Sequence, residues 1–142
     1  MVSQPPAFLR ALVVIAAVGL AAGCTDELPD QDLRIIEAAP VERLSAALLW
    51  QDFQTVRDQA ESRYNGKAIV VIGEVTGSGT SESGEAHVFF AQTPTAGVYA
   101  GLLADQASAI LAGIRENPRV RLKCFCEGLT TNVVLKSCVA EQ

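Results

Sequence analysis

The sequence is poor in the residues that most often carry chemistry. It has one histidine, one tryptophan and one methionine in 142 residues, and aromatic side chains make up only 6% of it. A single histidine, His87, cannot build a histidine-rich metal centre. As a catalytic base it would also need a nucleophile and an orienting carboxylate within reach. Ser81, Ser83 and Glu85 are close in sequence, but they lie in a Gly/Ser-rich stretch with no nucleophile-elbow or paired-carboxylate pattern. Basic residues are also in the minority, 11 against 16 acids. Neutralising nucleic-acid phosphate needs a basic surface, so nucleic acid is not an expected partner. No apolar run reaches the roughly 20 residues that span a bilayer, and there is no internal repeat. These absences point away from an enzyme and from a bound metal or cofactor.

What the sequence does have begins at its amino end. An apolar run from Ala11 to Ala22 leads into Leu20-Ala21-Ala22-Gly23-Cys24. Its length suits the roughly 7–15-residue core of a secretory signal. The small residues before the cysteine resemble the lipobox of bacterial lipoproteins, in which a diacylglycerol is attached to the sulfur before cleavage. The resemblance implies a signal peptide over 1–23 and a lipidated Cys24 at the start of the mature chain. Thr25, rather than an acid, follows the cysteine, which favours the outer membrane, facing the periplasm. Beyond Cys24 ten bases remain against 16 acids, a net charge of −6. Residues 24–40 are dense in acids and lack apolar periodicity, so they read as a flexible tether. Residues 41–142 are the domain.

From Pro40 the pattern is helical: Leu49, Phe53, Val56 and Ala60 recur at spacings of four, three and four, with acids on other faces. Trp50 beside that stripe reads as core. Asn65-Gly66 stops the helix. Lys67–Thr76 reads as a β-branched strand with Gly73 marking a bulge or bend. Gly77–Glu85 reads as a hairpin loop, since no Lys-Ser/Thr follows to make it a phosphate cradle. Further strands are expected at Ala86–Ala91 and Gly97–Leu103, then a helix from Asp105 to about Arg115. Arg119–Cys126 alternates, with Val120, Leu122, Cys124 and Cys126 on one side, and Val133–Val139 returns after a turn. The expected fold is mostly β with α: a five-stranded, OB-fold-like Greek-key barrel, with an N-terminal amphipathic helix and a helix between strands 3 and 4.

The run Ala60-x-x-x-Tyr64-Asn65-Gly66-Lys67, then Val71-x-Gly73-x-Val75, Val120-x-Leu122-x-x-x-Cys126-x-Gly128 and Val133-Val134-Leu135-x-x-Cys138, resembles the tRNA_anti-like group of OB-fold lipoproteins. The resemblance covers the chain from about Ser45. It implies a binding scaffold without a defined ligand, and Cys124 stands where the family often has glycine. An exported compartment permits disulfides. A hairpin centred near Asn132 would set Cys126 opposite Cys138, so that bridge is expected, with Cys124 the spare thiol and Cys124–Cys138 the competing register.

Arg119, Arg121 and Lys123 form a basic stripe on the other side of their strand. Together with the 77–85 loop it is the candidate binding face, suited to a lipid headgroup, lipopolysaccharide or an acidic protein partner. Two functions remain open. One is a non-catalytic, lipid-anchored envelope binding module, whose partner is a protein or envelope component. The other is an inhibitor or immunity-type lipoprotein acting on a secreted or envelope enzyme.

Overall fold

The computed structural model describes residues 31–141. Cys24 and the expected signal peptide lie outside the described residues. The chain is mostly sheet: β1 (Glu42–Ser45), β2 (Ala68–Glu74), β3 (Gly77–Thr80), β4 (Ala86–Ala91), β5 (Gly97–Leu102), β6 (Arg119–Leu129) and β7 (Val133–Ala140). Three helices accompany them: α1 (Ala46–Thr55), α2 (Arg57–Tyr64) and α3 (Ala104–Glu116). The seven strands form one sheet in the order β1-β2-β6-β7-β5-β4-β3. β5 runs parallel to β7, and β1 runs parallel to β2. β2 and β3 lie far apart in that order, yet only Val75 and Thr76 separate them in the chain. Covalent geometry therefore forces the sheet to curl sharply back on itself.

The architecture is OB-like, but its strand count and helix placement differ from the five strands and single N-terminal helix expected. A short strand precedes the helix: Val41 N–H donates to Ala68 O at 2.9 Å, and Glu42–Ser45 pair in register with Ile69–Ile72. Ser45 then caps α1 by accepting from the Leu48 N–H. The helix also breaks at Val56, whose φ of −135° and ψ of 52° are not helical. Leu49, Phe53, Ala60 and Tyr64 stay buried across the break, while Val56 is exposed. Trp50 is partly buried against the main core.

Gly73 does not mark a bulge. The register runs unbroken through Gly73 opposite Val120. A side chain at Gly73 would meet the Phe90 ring at 3.1 Å, so glycine is there to let that ring pack. Nor is Gly77–Glu85 wholly a loop, since Gly77–Thr80 pair with Ala86–Phe89 as β3.

The expected Cys126–Cys138 disulfide does not form. Cys124 is bonded to Cys138, with Cα atoms 4.2 Å apart, and Cys126 is the free, buried thiol. The difference lies in where the hairpin is centred, on Thr131 rather than near Asn132. Leu129 lies opposite Val133, a register that sets Cys124 level with Cys138; two shifts, between Cys126 and Gly128 and between Lys123 and Phe125, offset each other and leave that level unchanged. Near that second shift Ser137 adopts φ 55°, an extra residue that returns Cys138 to the level of Cys124.

The segment read as a tether is packed from Gln31 onward. Its Leu33–Ile36 stretch forms a 3-10 turn capped by Asp32. Ile35 is fully buried in a small second core with Ala68, Leu103 and Val139. Gln31 accepts from the Ala104 N–H at 2.8 Å, capping α3 from 73 residues away. Asp32 N–H donates to Ser137 Oγ at 2.8 Å.

Candidate functional site

β6 carries the basic stripe, and the alternation read from sequence holds: Leu122, Cys124 and Cys126 face the core. The three cations do not act together. Lys123 Nζ donates to the carbonyls of Ile36 and Ala38 at 3.0 and 2.9 Å, so it fastens the N-terminal segment to the sheet. Arg119 and Arg121 remain exposed, and among the described residues neither guanidinium has an ion pair or a side-chain hydrogen bond. The chain holds more acids than bases, so these two are not unpaired for want of acids.

Both arginines line a groove of about 560 Å³. Its geometry follows from where two strands end. β7 stops at Ala140, opposite Leu122, so Arg119–Arg121 run on beyond it with only β2 as a ladder neighbour. α3 forms the facing wall with Ala109, Ile110 and Gly113, and Val120 and Leu122 add apolar floor. The backbone along this open stretch is held at both ends. Asn117 Oδ1 accepts from the Arg119 N–H at 3.0 Å, and Glu141 N–H donates to Arg121 O at 3.0 Å. Asp105 and Glu141 also line the groove. Glu141 pairs with Arg43 at 3.2 Å. Asp105 stands in the first turn of α3, about 18 Å along the helix axis from Asn117 at its C-cap. Glu141 therefore lies beside Arg121, while Asp105 places an acid at the far end of the α3 wall.

The 77–85 stretch, paired with the stripe in the sequence reading, is not brought to this groove. It belongs to a separate cluster. His87 stacks on Tyr99 with ring centroids 4.7 Å apart, and Tyr99 donates to Glu85 Oε1 at 3.1 Å. Burial, then the charge and hydrogen bond of Glu85, push Tyr99 up to about 12. Ser81 and Ser83 share a hydrogen bond at 2.8 Å, and His87 Nδ1 is buried without a partner. No serine–histidine pair exists there among the described contacts. Cys126 is likewise shut away, and burial pushes its thiol up to about 12. Among the described residues no three His, Cys, Asp or Glu side chains are grouped to hold a metal ion. None of the described helices is long and apolar enough to cross a membrane.

The α3 wall is the part of the groove that sequence reasoning missed. Its one signal was Gly113, a glycine inside a helix and away from the cap, where alanine would be the better helix former. A Cβ at that position would meet nothing within 4 Å, and the position lines the groove.

A curled, mostly β sheet of this kind, carrying helices, is OB-like. The chain belongs to the tRNA_anti-like family, whose profile matches residues 7–139. No curated protein and no solved structure gives a significant match.

Proposed function

We propose that this chain is a non-catalytic binding module of the bacterial cell envelope, anchored by a lipid on Cys24 and facing the periplasm from the outer membrane. Its binding site is the groove between α3 and the end of β6. The carrying observation is the pair of unpartnered guanidiniums, Arg119 and Arg121, at the mouth of an apolar groove in an acidic chain. Unpaired arginines beside apolar surface are what recognition of an anionic group uses. The scaffold reading goes with this. β2 and β3 are taken as two halves of one bent strand, so that five strands close as a Greek-key barrel and β1 is an added edge.

The test is affinity capture from gently solubilised envelope, comparing the lipidated protein with Arg119→Glu/Arg121→Glu. A component retained by the first and lost by the second is the expected result. Equal capture by both would move the site elsewhere on the molecule. A Cys24→Ser variant tests the anchor separately: it is expected to be soluble or unprocessed, and a membrane-bound product of mature size would refute lipidation. The alternative reading, an inhibitor or immunity-type lipoprotein acting on a secreted enzyme, predicts that the captured component is a hydrolase whose activity falls on binding.

A further inference from the structure

We infer that the groove takes a small amphiphilic anion, a single apolar chain or ring system ending in a carboxylate or phosphate. The inference rests on the binding-module reading and names the class of ligand for that same groove. Size comes first: about 560 Å³ lies inside the ~300–1,000 Å³ range of small-ligand sites. Charge comes second. Arg119 and Arg121 stand two residues apart on one side of β6, so both guanidiniums can reach a single anionic head, each through its planar set of donors. The third point is the wall. Ala109 and Val120 offer apolar surface, backed by buried Ile110 and Leu122, and Gly113 leaves open space along the same wall.

The backbone stands against the other obvious occupant, an added β-strand, which would have to displace two bonds already made. Arg119 N–H and Arg121 O, which an incoming strand would need, are already bonded to Asn117 and Glu141. The acid at the far end orients the ligand. Asp105 repels a head placed beside it, and Glu141 is engaged by Arg43, so the head sits at the Arg119 end and the chain lies along Ala109.

The test uses the full chain in nanodiscs of zwitterionic phosphatidylcholine, titrated calorimetrically with octyl phosphate, octanoate, octanol, octyltrimethylammonium and inorganic phosphate. Empty discs give the background. Octyl phosphate or octanoate is expected to bind saturably at one site, with octanol, the cation and inorganic phosphate each at least about tenfold weaker, since a charged hydrogen bond or the chain is missing. The better of the two anions tells a phosphate-headed lipid from a fatty acid. Gly113→Leu is expected to abolish binding without lowering the melting temperature, because the new side chain enters open space in a helix. Arg119→Glu/Arg121→Glu is expected to lose at least about tenfold for the anions. Unchanged binding by Gly113→Leu, or equal binding of anion and cation, would overturn the inference. If no amphiphile binds while charge reversal still abolishes capture from the envelope, the ligand class falls and the binding module stands.

Discussion

The Tyr64 hydroxyl donates a 2.7 Å hydrogen bond to the Asp52 carboxylate and so ties α2 to α1 across the break at Val56. Two short helices of ten and eight residues would be marginal by themselves. This bond, with the Phe53 and Tyr64 rings 6.1 Å apart, makes them one unit against the sheet. Tyr64→Phe keeps the ring and removes only the bond. It is expected to lower the unfolding free energy by ~1–2 kcal/mol, read from urea midpoints at an unchanged slope.

Tyrosine ionisation gives a second check. The chain has two tyrosines. Burial first, then the neighbouring carboxylates, push both Tyr64 and Tyr99 up to about 12. Native protein is therefore expected to show almost no tyrosinate absorbance at pH 10, where an unfolded chain is about half ionised. Both folded values lie above the unfolded one. Their contribution to stability is whole below pH 10 and is lost as pH rises through about 12. Tyrosinate absorbance with an apparent midpoint near 10 in folded protein would contradict the buried hydroxyls.

The cysteines can be assigned by labelling. In a Cys24→Ser background, unfolded and unreduced protein is expected to take up one thiol label, and Cys126→Ala is expected to take up none. Two labels in Cys126→Ala would restore the Cys126–Cys138 pairing. The bridge closes a separation of 14 residues, so Cys124→Ala is expected to cost about 3 kcal/mol on the loop-entropy estimate. With its thiol pushed up to about 12 and buried, Cys126 should react with a thiol reagent at pH 8 only after unfolding.

Docking of the N-terminal segment is open to the same treatment. Ile35→Ala empties a fully buried position and is expected to cost ~2–4 kcal/mol. Lys123→Met removes two hydrogen bonds to Ile36 and Ala38 and is expected to cost ~1–2 kcal/mol. Both should speed amide exchange in residues 35–41 ahead of the strands. Uniform acceleration across the sheet would mean that the segment unfolds only with the whole domain.

Much of the strand pattern was legible because its periods are local. Ala86–Ala91 has the bounds its composition suggests, and Arg119–Cys126 alternates as read before extending to Leu129. What was not legible depended on distant partners. Glu42–Ser45 has no period of its own and becomes a strand only beside Ile69–Ile72. Gly77–Thr80 has no apolar side chain at all, and its pairing is supplied by β4. The disulfide turned on a hairpin centred on Thr131, one residue before the centre that the turn residues suggested. For the site, the alternation of Arg119, Arg121 and Lys123 could be read directly. That Lys123 is spent on carbonyls 87 and 85 residues away, while the two arginines border a groove, could not.

The docking of Gln31 shortens the distance at which the domain can work. A tether running from Cys24 to Pro40 would let it roam by about 55 Å at full extension. With Gln31 and Asp32 already bonded to Ala104 and Ser137, the link from Cys24 spans only seven residues and cannot exceed about 25 Å. That is less than the ~34 Å diameter of a compact domain of this size. A lipid on Cys24 would therefore keep the domain almost resting on the bilayer, able to meet what lies at the membrane surface but not to search across the space beyond it.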